Sequence, residues 1–141
     1  MSFLPRFKTN NILENIFERT KARNKGYGEV VFLNQKGNVA EGSVTNIFCV
    51  YRDKVVTPPV SDGLLPGITR AFVLELAAHL GIFVEESSVS QGELFQADEV
   101  FLTNSLLEIM PVAQIDGTLI KCPGRITSIL LEEYRKKTGK R

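Results

Sequence analysis

Apolar residues recur at helical spacing in some stretches of the chain and fall in short strand-like runs in others. Ile12, Leu13, Ile16 and Phe17 mark the first helical stretch. Asn11 with Glu14 three positions on offers a capping-box start, and the spacing predicts a helix ending near Lys25 with Gly26 as its stop. Residues 29–34 and 38–41, separated by Gln35-Lys36-Gly37, read as a hairpin with a glycine turn. Residues 44–51 and 54–57 read as a second hairpin, turning at Arg52-Asp53. Successive strands without long intervening helices favour an antiparallel or mixed sheet over repeated βαβ units.

Pro58-Pro59 ends that run, and a polar loop leads to Leu65-Pro66-Gly67. Ile68, Phe72, Leu76 and Leu80, with Val73 and Ala77, form the stripe of a helix that Gly81 closes. A strand over 82–85 follows. Ser90 and Glu93 then make a capping box for a short helix, and residues 99–103 read as a strand running into Thr103-Asn104-Ser105. Asp116-Gly117 marks a hairpin turn, and Ile126, Ile129, Leu130 and Tyr134 stripe a last helix over 124–137. With no repeat and no linker-like break, residues 1–141 read as a single mixed α/β (α+β) domain. Its expected architecture is a largely antiparallel sheet or pseudo-barrel with flanking helices.

A chain of 141 residues, 43% apolar and 23% charged, can bury a core unaided. Its net charge of +1 supplies no basic field for nucleic acid. No apolar run reaches the roughly 18 residues of a membrane span, and Pro5, Arg6 and Lys8 interrupt any secretory apolar segment at the start. Cys49 and Cys122 are widely spaced and lack a matching histidine pattern, so neither a zinc site nor a disulfide framework is expected. Reduced thiols in a cytoplasmic chain fit, with Cys49 as a core residue and the lone His79 at a helix end.

Lys8 lies just before the first helix, where a side chain can face a cleft. Alone it reads as a surface lysine; as a neutral amine it could hold an aldehyde and shuttle a proton. Glu41, at a strand end before Gly42, is by itself a solvated carboxylate, or else the partner of a protonated ring nitrogen. The Leu65–Thr69 segment serves equally for ordinary helix capping or for an anion, since Gly67 and the helix start at Ile68 present amides and Thr69 adds a hydroxyl. Thr103-Asn104-Ser105 offers further donors at a strand end, of a kind common in turns.

Taken in order, these segments resemble the class IV, fold type IV pyridoxal phosphate enzymes, which include branched-chain and D-amino acid aminotransferases and 4-amino-4-deoxychorismate lyase. The resemblance runs from Lys8-Thr9-Asn10-Asn11 through residues 37–42, Thr45-Asn46-Ile47-Phe48, Thr57-Pro58-Pro59, Leu65–Arg70 and Ala97–Ser105 to Asp116-Gly117. It implies pyridoxal 5'-phosphate as cofactor, with Lys8 as the Schiff-base lysine and general acid/base and Glu41 paired with the pyridine nitrogen. Leu65 is then expected on the ring face, and Gly67, Ile68 and Thr69 at the phosphate. Asn104 and Ser105 complete the cradle and border a small amino substrate.

Family members carry a smaller domain of roughly one hundred residues before the lysine, the size of a compact domain. Lys8 stands too near the start of this chain for one, so the chain is expected to lack that domain and its phosphate-binding arginine. Neither Arg6 nor Arg70 is matched to that role. Asn11-Ile12-Leu13 stands where branched-chain enzymes place a tyrosine, and Asn104 matches the lyase group, so the subfamily lean is to 4-amino-4-deoxychorismate lyase. Branched-chain or D-amino acid transamination is the alternative. A catalytically incomplete fragment or a dimerising scaffold is the reading without activity, and a homodimer is the expected assembly.

Overall fold

The structure, a computed structural model, describes residues 11–140, with the side chains of Asn11 and Ile12 outside the description. Helix α1 spans Asn11–Asn24, so the helix is where the spacing places it. The cap expected of the Asn11 side chain lies outside the described residues. Strands β1 (Val31–Leu33) and β2 (Val39–Gly42) form the first hairpin, with Phe32 opposite Glu41. β3 (Asn46–Tyr51) and β4 (Lys54–Thr57) form the second.

β3 starts two residues later than the apolar pattern suggests, because residues 43–45 are drawn into a turn. The Gly42 N–H bonds the Thr45 carbonyl at 2.8 Å. The Glu29 carboxylate accepts from the Ser43 hydroxyl, from Thr45 Oγ1 at 3.1 Å and from the Val30 N–H at 2.9 Å. A carboxylate offers enough lone pairs to hold such a turn by itself.

Helix α2 (Ile68–His79) is followed by β5 (Val84–Glu86), which pairs in parallel with β4. α3 (Gln91–Phe95) carries the complete Ser90/Glu93 capping box. β6 (Glu99–Asn104) and β7 (Glu108–Pro111) pair antiparallel. β8 (Gln114–Ile115) and β9 (Thr118–Leu119) turn at Asp116-Gly117, and α4 covers Arg125–Thr138. β7 is not evident in the sequence, because its four residues include an exposed Met110 and a proline. Proline is tolerated there because β7 is an edge strand.

The main sheet runs β5-β4-β3-β6-β7, mixed but largely antiparallel, as expected. Alternation along its central strands sorts residues to two cores. Phe48, Val50 and Phe101 face α2 and α4, where they meet Val73, Leu76, Ile126 and Leu130. Phe48 and Phe101 stack with ring centroids 4.8 Å apart. Ile47, Cys49, Val100 and Leu102 point the other way, against Val39, Val89, Leu94 and Ile120.

Burial pushes the Cys49 thiol up to about 12, so it is an inert core residue. α1 differs from the other helices: Leu13 is 77% exposed and Phe17 63%, so its apolar stripe stays at the surface. Among the described residues no helix is long and apolar enough to cross a membrane.

Candidate active site

β3 begins where β6 ends, with Asn46 opposite Thr103, and the end of β2 and the start of α2 converge on the same end of the sheet. A cavity of about 790 Å³ opens there. Its wall includes Glu41, Leu65, Gly67, Ile68, Thr69, Asn104 and Ser105. Tertiary structure thus brings every sequence-predicted site residue to one cavity except Lys8, which lies outside the described residues. The volume is in the range of sites that enclose small cofactors.

Glu41 is 8% exposed on this wall, and its Oε2 accepts the Leu65 N–H at 3.0 Å. The β1–β2 pairing fixes its strand, and the Glu29-held turn fixes the backbone that follows. Leu65 is thereby tied to the acid through its own peptide group.

The first amides of α2 face the cavity from the other side. Gly67 is the N-cap, in extended conformation, and it supplies no side-chain cap. The leading N–H groups of a helix have no partner inside the helix, and they carry the positive end of its dipole. Thr69 is buried beside them, while Ile68 projects outward. The Gly67 position admits no side chain: a Cβ there would lie 2.5 Å from Asn46 Oδ1. The missing side chain lets Asn46 approach the Gly67 backbone. Thr103 is also among the residues of the wall, with its Oγ1 buried and without a hydrogen-bond partner among the described residues.

The Asn104 side chain is itself held by the backbone around it. Its Nδ2 donates to the Val44 carbonyl at 3.1 Å, and its Oδ1 accepts from the Leu106 and Leu107 N–H groups at 3.0 and 2.6 Å. The side chain is committed to joining two loops at the rim. Sequence reasoning passed over two residues of comparable weight, Asn46 and Glu29. Asn46 bonds Leu65 and Gly67, and Glu29 bonds the turn after Glu41. Glu41, Gly42 and Asn46 belong to a recognised segment, which was the available signal for Asn46. Glu29 had none.

The Glu41 carboxylate, the open amides at the start of α2 and apolar Leu65 on one cavity wall fit a flat nitrogen heterocycle that carries a phosphate. The donor set contains no cluster of metal-ligating side chains among the described residues.

Residues 1–115 match the model of a family described as amino-transferase class IV. A putative branched-chain-amino-acid aminotransferase of Methanocaldococcus jannaschii is 40% identical over 133 residues, covering 93% of this chain and 46% of that protein. The crystal structure of a branched-chain amino acid aminotransferase from Thermobaculum terrenum in its PLP-form superposes with a TM-score of 0.90 at 39% identity. That match covers 96% of this chain and 45% of the other. A putative 4-amino-4-deoxychorismate lyase from Legionella pneumophila also superposes with a TM-score of 0.90, at 30% identity, covering 96% of this chain and 53% of the other. The chain spans about half the length of these relatives. The matched residues include the whole cavity wall, and the chain belongs to the amino-transferase class IV family.

Proposed function

We propose that the chain is the pyridoxal-phosphate-binding part of an aminotransferase acting on branched-chain amino acids. One observation carries the reading: Glu41 and the open start of α2 face one cavity and are joined through the Leu65 peptide. When bound, pyridoxal phosphate supplies an electron sink that makes the α proton of an amino acid removable. Lys8 would hold the cofactor through its amine, and the same Nζ would serve as the base for that proton.

Glu41 keeps the ring nitrogen protonated, and burial from water strengthens that pairing. Leu65, on the cavity wall, would pack on the ring face. The Ile68 and Thr69 N–H groups and the Thr69 hydroxyl take the phosphate, which the helix dipole favours. Ser105, just after β6, would border the substrate side.

Branched-chain substrates are preferred over lyase chemistry because the Methanocaldococcus and Thermobaculum relatives are named as branched-chain enzymes. The lean to the lyase rested on Asn11-Ile12-Leu13 and on Asn104, and the Asn104 side chain bonds Val44, Leu106 and Leu107. The Legionella structure keeps lyase activity as the second reading.

The test begins with a titration of the chain with pyridoxal phosphate, followed by visible absorbance. Wild type should develop a bound-cofactor band, Lys8→Ala should lose it, and Glu41→Gln should shift its pH dependence. Leucine with 2-oxoglutarate is then assayed against pyruvate release from aminodeoxychorismate. Absence of any band at saturating cofactor refutes the reading, and pyruvate release without transamination replaces it with the lyase.

A further inference from the structure

The segment Leu65-Pro66-Gly67 is held at three points. Its first N–H donates to Glu41 Oε2 at 3.0 Å. The Leu65 carbonyl accepts from Asn46 Nδ2 at 2.8 Å, and the Gly67 N–H donates to Asn46 Oδ1 at 3.2 Å. A primary amide is suited to this task, because it presents a donor and an acceptor on separate atoms. Asn46 is 6% exposed and opens β3, the central strand of the sheet, where its neighbours are fixed by pairing with β6. The clamp is therefore anchored in the most constrained part of the molecule.

We propose that Asn46 is a positioning residue that couples the two ends of the site. Holding Leu65 and Gly67 to β3 fixes the distance between the Glu41 carboxylate and the amides of Ile68 and Thr69, and so sets how tightly the phosphate of the bound cofactor is gripped. The inference rests on the cofactor reading above. Its physical basis is preorganisation. Donors already aimed at an anion contribute more to binding than donors that must be ordered as it binds. With the clamp removed, Pro66 and Gly67 regain freedom and the amides that follow them no longer converge. Asn46 touches neither phosphate nor ring in this account; it acts through Leu65 and Gly67.

The test compares binding of pyridoxal phosphate with binding of pyridoxal, which lacks the phosphate, in wild type, Asn46→Ala, Asn46→Asp and Gly67→Ala. Dissociation constants come from absorbance titrations, and apo melting temperatures are recorded alongside. The ratio of the two constants isolates the phosphate's contribution. A merely structural role lowers both affinities together and leaves the ratio unchanged.

In Asn46→Ala the ratio should fall at least about tenfold, the cost of roughly one buried hydrogen bond left unmade. Asn46→Asp keeps an acceptor for Gly67 but loses the donor to Leu65, and its ratio should also fall. Gly67→Ala strikes Asn46 Oδ1 from the opposite side and should do the same, which carries the test if Asn46→Ala does not fold. Ratios within about twofold of wild type in the folded variants overturn the role of Asn46. A wild type that binds pyridoxal as tightly as pyridoxal phosphate overturns the cofactor reading instead.

Discussion

Replacing Gly124 with alanine drives a methyl carbon into the side chain of Glu99. Gly124 is the N-cap of α4 and has no side chain to satisfy the first amides of that helix. Glu99, buried at the start of β6, does so from across the core: its Oε1 accepts the Thr127 N–H at 2.9 Å and its Oε2 the Ile126 N–H at 3.2 Å. A Cβ at position 124 would lie 2.0 Å from Glu99 Cδ, 2.1 Å from Cγ and 2.2 Å from Oε1. These contacts are too short to survive, so the carboxylate must leave the helix terminus.

Loss of charge-assisted bonds to two buried amides should cost about 3 kcal/mol. At this chain length that lowers the melting temperature by roughly 10 °C. The conformation of Gly124, φ −83° and ψ 173°, is one alanine adopts freely. In a Glu99→Ala background, where Cγ and Cδ are gone, Gly124→Ala should therefore stabilise slightly, by up to about 1 kcal/mol through the unfolded state. The assay is urea denaturation followed by circular dichroism on wild type, both single variants and the double variant. The diagnostic result is a change of sign for Gly124→Ala between backgrounds. Equal destabilisation in both would refute the claim that Glu99 caps α4 across the core.

Other outcomes follow from the same geometry. In the folded chain a thiol reagent at pH 8 should modify exposed Cys122 and spare buried Cys49, which should react only after unfolding; full modification of the native chain contradicts the packing. The Cys49 thiol has its folded value raised from 9.0 to about 12, mainly by burial. The unfolded chain therefore gives up this proton first, and the associated stability is intact below pH 9 and lost as pH rises toward 12. Tyr51 is raised in the same direction, again chiefly by burial. A Cys49→Ala variant should lose less stability between neutral pH and pH 10.5 than wild type, as read from melting temperatures; parallel curves would show that Cys49 does not contribute. Glu29→Ala removes the acceptor that organises residues 43–45 and should cost about 2 kcal/mol in urea denaturation, with Glu29→Gln recovering part of it.

The spacing of apolar residues set out α1, α2 and α4, and the Ser90/Glu93 pattern set out α3, because each depends on neighbours within one or two helical turns. The first two hairpins were equally legible from their turns. Glu41, Leu65, Gly67, Ile68, Thr69, Asn104 and Ser105 could be named because their segments resemble a family, and the fold gathers them at one end of the sheet.

Tertiary structure alone decided what holds that end together. Glu41 reaches Leu65 across 24 positions, Asn46 reaches Gly67 across 21, and Glu99 reaches Thr127 across 28. Such pairings have no local period, and each polar side chain meets its partner only after the sheet has brought distant backbone groups within hydrogen-bonding distance. The same holds for Asn104. Packing placed the Val44 carbonyl and the Leu106 and Leu107 N–H groups within reach of its side chain, and those backbone groups pair with it. Sequence therefore determined the helices and the first two hairpins, and it named candidate site residues by resemblance. The fold determined that most of them share one cavity wall and which distant side chains hold that wall in place.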